Sequence, residues 1–185
     1  MWTLSGFADE IADDFETQLQ TVTGLGLKYI EFRSAWGTNI LDLTDEQLAQ
    51  AKELLAKYDL QVSSIGSPIG KIFIDEDFAP HLERAKHAVD VANFFGAPFI
   101  RIFSFFIREG ANADDFRDEV MRHMAALAEV AAAGNVVLLH ENEKDIFGDI
   151  PRRVVDILQT VNSPALRAAA TPVPGALFFL RTGTE

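Results

Sequence analysis

Short apolar segments alternate with amphipathic segments along most of this chain. Five apolar segments have the length and aliphatic content of buried strands: 3–7, 27–32, 60–65, 98–103 and 136–141. Helical spacing of apolar residues predicts helices between and after them, at about 14–22, 44–58, 78–95, 114–133 and 151–161. Because strand–helix–strand connections of this length form right-handed crossovers between parallel strands, the pattern predicts an α/β fold with a parallel sheet.

Residues at the predicted helix ends support these boundaries. Thr44 and Gln47 have the spacing of a capping box, Gly96 suits the position after a helix and Pro151 suits a first helical turn. Two architectures fit: an open doubly wound sheet, or part of a (β/α)8 TIM barrel. A complete barrel typically needs about 250 residues, and this chain has 185.

Charged residues interrupt three of the predicted strands. Side chains alternate across a strand, so Glu31, Arg33, Arg101 and Glu141 lie opposite the aliphatic residues of their strands. A barrel lumen would gather these side chains and a flat sheet would scatter them, so we favour an incomplete TIM barrel. A simpler alternative stays open, in which Glu31 pairs with Arg33 or Arg101 in structural ion pairs.

Glu141 ends the strand 136–141, and in parallel α/β folds ligands gather at the carboxyl ends of strands. An unpaired carboxylate there costs several kcal/mol, roughly, so a functional role is predicted. His140 has the opposite parity and is expected to face the helices or to support the site from behind. The other histidines, His81, His87 and His123, lie on predicted helices and are expected at the solvated surface.

The loop 63–71 is rich in serine and glycine and ends on Lys71. Its backbone N–H groups and the lysine could contact a sugar or a phosphate, or the segment could be a plain connector. The chain has no Walker loop, no Gly-x-Gly-x-x-Gly after a strand and no Gly-x-Ser-x-Gly. A net charge of −12 argues against a nucleic-acid surface, and the absence of cysteine excludes thiolate chemistry. With no signal segment or membrane span visible, a cytoplasmic protein is expected.

Five motifs, in this order, resemble the sugar phosphate isomerase/epimerase family, the xylose isomerase-like TIM barrels. They are 5–10 (SGFADE), 29–33 (YIEFR), 63–71 (SSIGSPIGK), 100–106 (IRIFSFF) and 139–143 (LHENE). The resemblance implies a divalent metal (Mn²⁺, Mg²⁺, Co²⁺ or Zn²⁺) held by a Glu, an Asp, a His and a second Glu, of which Glu141 matches the first. It also implies metal-assisted proton transfer beside a sugar carbonyl.

From these observations we predict Glu141 as catalytic residue and metal ligand. The predicted substrate-binding residues, for a small sugar or sugar phosphate, are Glu31, Arg33, Ser67, Lys71, Arg101 and Asn142.

The resemblance ends near Ala168. Where the family places an aspartate on its sixth strand, this chain has Ala170-Thr171-Pro172. We therefore expect residues 1–168 to form a partial barrel of about five βα units. Residues 169–185 are expected to form a divergent tail, following a truncation or a change of reading frame. Leu177–Leu180 could add an irregular sixth strand against strand 136–141, and the open barrel edges predict poor solubility or a homo-oligomer.

Three functions are weighed at this point. The first is a sugar or sugar phosphate isomerase or epimerase, whose activity in this chain is in question because later metal ligands are absent. The second is a non-catalytic fragment that binds a carbohydrate or a metal weakly. The third is an endonuclease of the same superfamily, which the negative charge and the count of four histidines make the least favoured.

Overall fold

The computed structural model describes residues 3–169 and the backbone of Phe178–Leu180. The strands are β1 (Thr3–Ser5), β2 (Tyr29–Phe32), β3 (Ser34–Ala35), β4 (Thr38–Asn39), β5 (Gln61–Gly66), β6 (Phe99–Ile102), β7 (Val137–Glu141), β8 (Leu166–Ala169) and β9 (Phe178–Leu180). The helices are α1 (Phe15–Gly24), α2 (Asp45–Lys57), α3 (Phe78–Phe95), α4 (Arg117–Ala133) and α5 (Pro151–Val161), with short 3-10 turns at Ile40–Asp42 and Ala113–Phe116.

Five strands form one parallel sheet in the order β2-β5-β6-β7-β8. β1 continues this wall beside β2, because Phe7 and Glu31 form a parallel bridge and the Glu31 N–H donates to the Gly6 carbonyl at 2.9 Å. Six strands therefore follow one another with their carboxyl ends at the same edge. The predicted α/β fold with a parallel sheet is confirmed.

The sixth strand differs from the sequence-based expectation. β8 pairs in parallel with β7, so Leu166–Ala169 occupies the place that we expected for Leu177–Leu180. Phe178–Leu180 instead pairs antiparallel with β1. β8 escaped prediction because it has only one large apolar residue, Leu166, and so lacks the aliphatic run of the other strands. The expected departure at Ala170-Thr171-Pro172 lies outside the described residues.

The helices cover one face of the sheet. Ile30, Phe32, Ile100, Ile102 and Leu138 are all at most 4% exposed. Burial of each such side chain stabilises the fold by roughly 1.5–3 kcal/mol. This is the face that strand parity predicted for the helix layer, and its apolar packing leaves the opposite face for the charged residues. Of the described helices, none combines the length and the apolar character that crossing a bilayer requires.

The predicted helix ends agree with the structure. The Thr44 hydroxyl accepts from the Gln47 N–H and the Gln47 side chain accepts from the Thr44 N–H, which completes the capping box. Gly96 takes the left-handed conformation after α3, with φ 69°, and Pro151 begins α5. The α4 prediction began too early, because Ala113–Phe116 forms a 3-10 turn.

Two of the helical histidines are not at the solvated surface, so that prediction was wrong for them. His81 is buried, and its Nε2 accepts a hydrogen bond from the Gly70 N–H at 2.7 Å. His123 is half-buried and stacks on the Phe78 ring at 3.9 Å between centroids. Only the third, His87, is exposed as expected. The loop after β5 covers His81, and the segment after β6 covers both His81 and His123. Helical spacing alone does not reveal such coverage by distant segments.

Candidate functional site

Three charged residues meet on the lumen face of the sheet, near the carboxyl ends of their strands. Arg101 on β6 lies beside Glu141 at the end of β7, with 3.4 Å between Nη1 and Oε2, and their side chains are 11% and 15% exposed. Glu31 on β2 is 5% exposed, and the charges of Arg101 and Glu141 both affect its pKa. The structure thus brings together three of the four charged residues that parity placed on one face; we call them the acid–arginine cluster.

Arg33, the fourth, turns toward the segment after β1. Its Nε donates to Asp9 Oδ2 at 2.6 Å, and its Nη2 lies 3.3 Å from Glu10 Oε1. Burial lowers the pKa of Arg33, but the contacts with Asp9 and Glu10 together outweigh it, so that the pKa is raised overall. The structural ion pair that we left open is therefore formed with Asp9 and Glu10, and Glu31 is not its partner.

Two aromatic rings each contact two cations of this region. The Phe7 ring contacts Arg33 and Arg101, whose guanidinium carbons are 4.6 and 5.0 Å from its centroid. The Phe103 ring contacts Arg101 and Lys71, with Arg101 Cζ at 4.9 Å and Lys71 Nζ at 4.3 Å from its centroid. Cation–π contacts of this kind contribute about 0.5–2 kcal/mol each. They hold the Arg101 guanidinium in one position, in front of Glu141.

A glycine makes this arrangement sterically possible. A Cβ on Gly66, at the end of β5, would lie 2.7 Å from Arg33 Cβ and 2.9 Å from Phe7 Cε1. Real Cβ atoms do not approach other atoms so closely, so a larger residue would displace Phe7 or Arg33. Gly66 lies on β5, between β2 and β6. Because it has no side chain, Phe7 after β1 and Arg33 after β2 have room on the Arg101 side of the sheet.

Burial shifts the pKa of two members of the acid–arginine cluster. Desolvation raises the pKa of Glu31 to about 7; Arg101 and Arg33 oppose this rise, and the Glu141 charge adds to it. Desolvation also lowers the pKa of the Arg101 guanidinium, which nevertheless stays charged at neutral pH. Near pH 7 the cluster therefore contains a carboxyl that exchanges its proton readily beside a fixed cation.

For the backbone of the loop after β5, the structure agrees with the connector alternative and not with an anion contact. The N–H groups of residues 67 and 69–71 donate within the protein, to the Ile65 carbonyl, the Ser67 hydroxyl, His81 Nε2 and the Pro68 carbonyl. Ser67 is itself fully buried, and its hydroxyl donates to the Arg101 carbonyl at 2.6 Å. The loop supports the strand that bears Arg101, and its N–H groups are already satisfied.

Lys71 and Asn142 lie around the acid–arginine cluster. Lys71 Nζ is 2.8 Å from Glu143 Oε2, and both side chains are partly exposed. Asn142 directly follows β7 and is half-buried. Sequence reasoning included Asp9, Phe103 and Glu143 in the motifs but gave them no role, because their contacts join segments far apart in the chain.

Within residues 3–169, no three His, Asp or Glu side chains come together in a group that could hold a metal ion. Glu141, the predicted ligand, faces the positive charge of Arg101, which disfavours a second cation beside it. The described residues alone therefore do not fit the divalent metal that the resemblance implied.

Comparisons with known proteins agree with this fold. The sequence profile of the family described as xylose isomerase-like TIM barrel matches residues 19–170. No curated protein sequence matches the chain significantly.

Three solved structures illustrate the likeness. A xylose isomerase-like TIM barrel protein from Mycobacterium smegmatis, in complex with magnesium, is 19% identical over 95% of this chain and 65% of its own, with a TM-score of 0.74. A probable 3-DHS dehydratase involved in petrobactin synthesis from Bacillus anthracis is 21% identical over 91% of this chain and 62% of its own, with a TM-score of 0.75. D-Allulose 3-epimerase from Methylomonas sp., in complex with D-allulose, is 20% identical over 91% of this chain and 62% of its own, with a TM-score of 0.73.

These likenesses establish the fold, and the chain spans less than two thirds of the length of each of the three structures. The expectation of an incomplete barrel is thereby confirmed. The family profile covers well over half of the chain. The chain therefore belongs to the xylose isomerase-like TIM barrel family.

Proposed function

We propose that this chain carries part of the active centre of a sugar isomerase or epimerase. The observation that carries the proposal is the acid–arginine cluster, in which two carboxyl groups and one guanidinium, each at most 15% exposed, lie together at the carboxyl ends of parallel strands. Family membership supports the reaction class, and the D-allulose complex of a similar barrel supports an uncharged sugar as the kind of ligand. In TIM barrels this edge is where catalytic groups gather.

The proposed reaction begins with removal of the proton on the carbon beside the sugar carbonyl. Glu141 is the proposed base, because it ends β7 at the edge of the sheet where catalytic groups gather. Arg101 would stabilise the negative charge that develops on the sugar oxygens, as fixed cations do in a water-poor site. Of the described residues, Glu141 is also the one we propose as a metal ligand, in a site that would need further ligands from beyond residues 3–169.

The remaining predicted residues receive supporting roles in this proposal. Glu31 lines the lumen beside Arg101, and Arg33 holds the Phe7 ring that covers one face of Arg101. Lys71 and Asn142 are proposed to contact sugar hydroxyls, because Lys71 lies over the same Phe103 ring as Arg101 and Asn142 directly follows Glu141. Ser67 shapes the site through the backbone of Arg101, to which its buried hydroxyl is bonded.

Exchange of the sugar's carbon-bound hydrogen with solvent tests the proposal directly. D-Allulose incubated with the protein in D₂O should gain deuterium beside its carbonyl, as followed by proton NMR. Glu141→Gln should slow the exchange by about 10²–10⁴-fold, the usual contribution of a general base. Glu129→Gln, which changes an exposed carboxyl on α4, is the matched control and should exchange at the wild-type rate.

The outcomes separate the competing functions. Sugar binding without exchange would support the non-catalytic alternative instead. Exchange that Glu141→Gln leaves unchanged, in a variant whose circular dichroism matches the wild type, would remove Glu141 from the reaction. Cleavage of abasic DNA would favour an endonuclease, for which neither the net charge of −12 nor the acid–arginine cluster gives support.

A further inference from the structure

Glu31 is buried in the lumen without an ion pair to either neighbouring arginine. Arg33 contacts Asp9 and Glu10, and Arg101 contacts Glu141 and donates from Nη2 to the Ser67 carbonyl at 3.2 Å. Among residues 3–169, no ion pair of 4.0 Å or less includes Glu31, which is 5% exposed. The two cations nearest to this carboxyl are thus already bound to other carboxylates.

A buried carboxyl in this position favours its neutral form. Removing an ionised carboxylate from water is costly unless a partner compensates, and the usual response is to keep the proton. The pKa of Glu31, raised by burial to about 7, agrees with this argument. A neutral carboxyl differs from a carboxylate in one important respect, because it can donate a hydrogen bond as well as accept one.

We propose that Glu31 is the electrophilic acid of the centre: in its neutral form it donates a hydrogen bond, and then its proton, to the carbonyl oxygen of the sugar. This inference rests on the proposed function. Glu31 is then the acid that complements the base Glu141. When Glu141 removes the proton, the carbonyl oxygen must accept the displaced electrons, and a hydrogen bond from Glu31 favours this.

The step balances with these two residues. Glu141 takes the proton from the carbon beside the carbonyl, and the electrons of that C–H bond form a carbon–carbon double bond. The π electrons of the carbonyl move to its oxygen, which takes the proton of Glu31. The products are an enediol, a protonated Glu141 and an ionised Glu31, and the nearby Arg101 stabilises the new carboxylate. Return of the protons reverses the step.

The charged groups around Glu31 allow its titration to be recognised. They are Arg101 on β6, Glu141 on β7 and Arg33 directly after β2. The arginines stay charged across the accessible pH range. Because the Glu141 charge helps to raise the pKa of Glu31, removal of that charge should move the Glu31 titration to lower pH.

The test is calorimetric titration with D-allulose from pH 5.5 to 8.5. Wild-type affinity should be constant at low pH and fall about tenfold per pH unit above pH 7, as Glu31 loses its proton. Glu31→Gln keeps a hydrogen-bond donor, so its affinity should not change with pH, while its deuterium exchange should fall at least about 100-fold. In Glu141→Gln the pH dependence should persist and move to lower pH; Glu129→Gln should match the wild type.

Failure of this inference differs from failure of the proposed function. Wild-type affinity that is constant above pH 7, or a pH profile that Glu31→Gln retains, would overturn the role of Glu31 and leave the sugar site in place. An exchange rate that Glu31→Gln leaves unchanged would do the same. Absence of D-allulose binding at every pH would overturn the proposed function and this inference with it.

Discussion

The two faces of the central sheet place ionisable groups in different surroundings, and β7 shows both within two residues. Glu141 points into the lumen beside Arg101. The preceding residue, His140, points to the other face, has no exposed surface, and its ring nitrogens find no hydrogen-bond partner among the described residues. The two neighbouring residues differ in environment because side chains alternate between the faces of a strand. Glu141 therefore lies in the acid–arginine cluster, and His140 is closely packed on the opposite face.

Close packing around His140 favours its neutral form. A Cβ on Gly148 would lie 2.5 Å from His140 Cε1, and the Gly148 N–H donates to the Ser104 hydroxyl at 2.7 Å. Desolvation lowers the pKa of His140 to about 4. On the lumen face, desolvation instead raises the pKa of Glu31 to about 7. Burial thus favours the neutral form of both groups, but of the two it is Glu31 whose pKa the charges of neighbouring side chains also shift.

The largest expected effect tests whether close packing on the helix face dominates stability. Ile102→Ala removes a side chain that has no exposed surface, and the lost burial and the remaining cavity should lower the free energy of unfolding by about 2–5 kcal/mol. Urea denaturation measures the change. Val155→Ala on α5, where the side chain is 49% exposed, should stay within about 0.5 kcal/mol of the wild type. Equal losses in both variants would contradict the assignment of the core to the helix face.

A smaller effect, of opposite sign on the two faces, should appear in the pH dependence of stability. The raised pKa of Glu31 adds about 3 kcal/mol to the free energy of unfolding at low pH. This stabilisation is complete below pH 4.5 and is lost as pH rises to 7. The lowered pKa of His140 gives a contribution that is complete above pH 6.5 and is lost, by a similar amount, as pH falls to 4. The two slopes should cancel between pH 4.5 and 6.5 in the wild type.

Each single variant removes one of the two slopes, so its difference from the wild type shows the slope that was removed. Relative to the wild type, Glu31→Gln should become more stable as pH rises from 4.5 to 7. His140→Leu should become more stable, again relative to the wild type, as pH falls from 6.5 to 4. Denaturation midpoints measured across this range decide the matter; differences from the wild type that stay constant with pH would show that neither group is held neutral by burial.

The smallest expected effect concerns the rim of the lumen. Lys71→Gln removes an ion pair with Glu143 whose two side chains are 33% and 40% exposed, and pairs of this kind contribute about 0–1 kcal/mol. The unfolding free energy should therefore change by less than about 1 kcal/mol, while the affinity for D-allulose falls. A stability loss as large as that of Ile102→Ala would make Lys71 a structural residue.

Much of this molecule follows from local sequence patterns. The five apolar segments, the capping box at Thr44 and the glycine after α3 predicted the elements, because strand parity and helix ends depend on residues that are neighbours in the chain. Parity also placed Glu31, Arg101 and Glu141 on one face. β8 and the burial of His81 were missed, since each depends on contacts with segments distant in sequence.

The sequence by itself determined which residues could enter the lumen, because side chains alternate strictly along an extended strand. Only the tertiary structure decided which of them pair. Arg33 pairs with Asp9 and Arg101 pairs with Glu141, so Glu31 has no ion pair with either arginine. The physical reason is that ion pairing and desolvation depend on distances across neighbouring strands, and these distances are set by sheet register and by the Phe7 and Phe103 rings that fix Arg101.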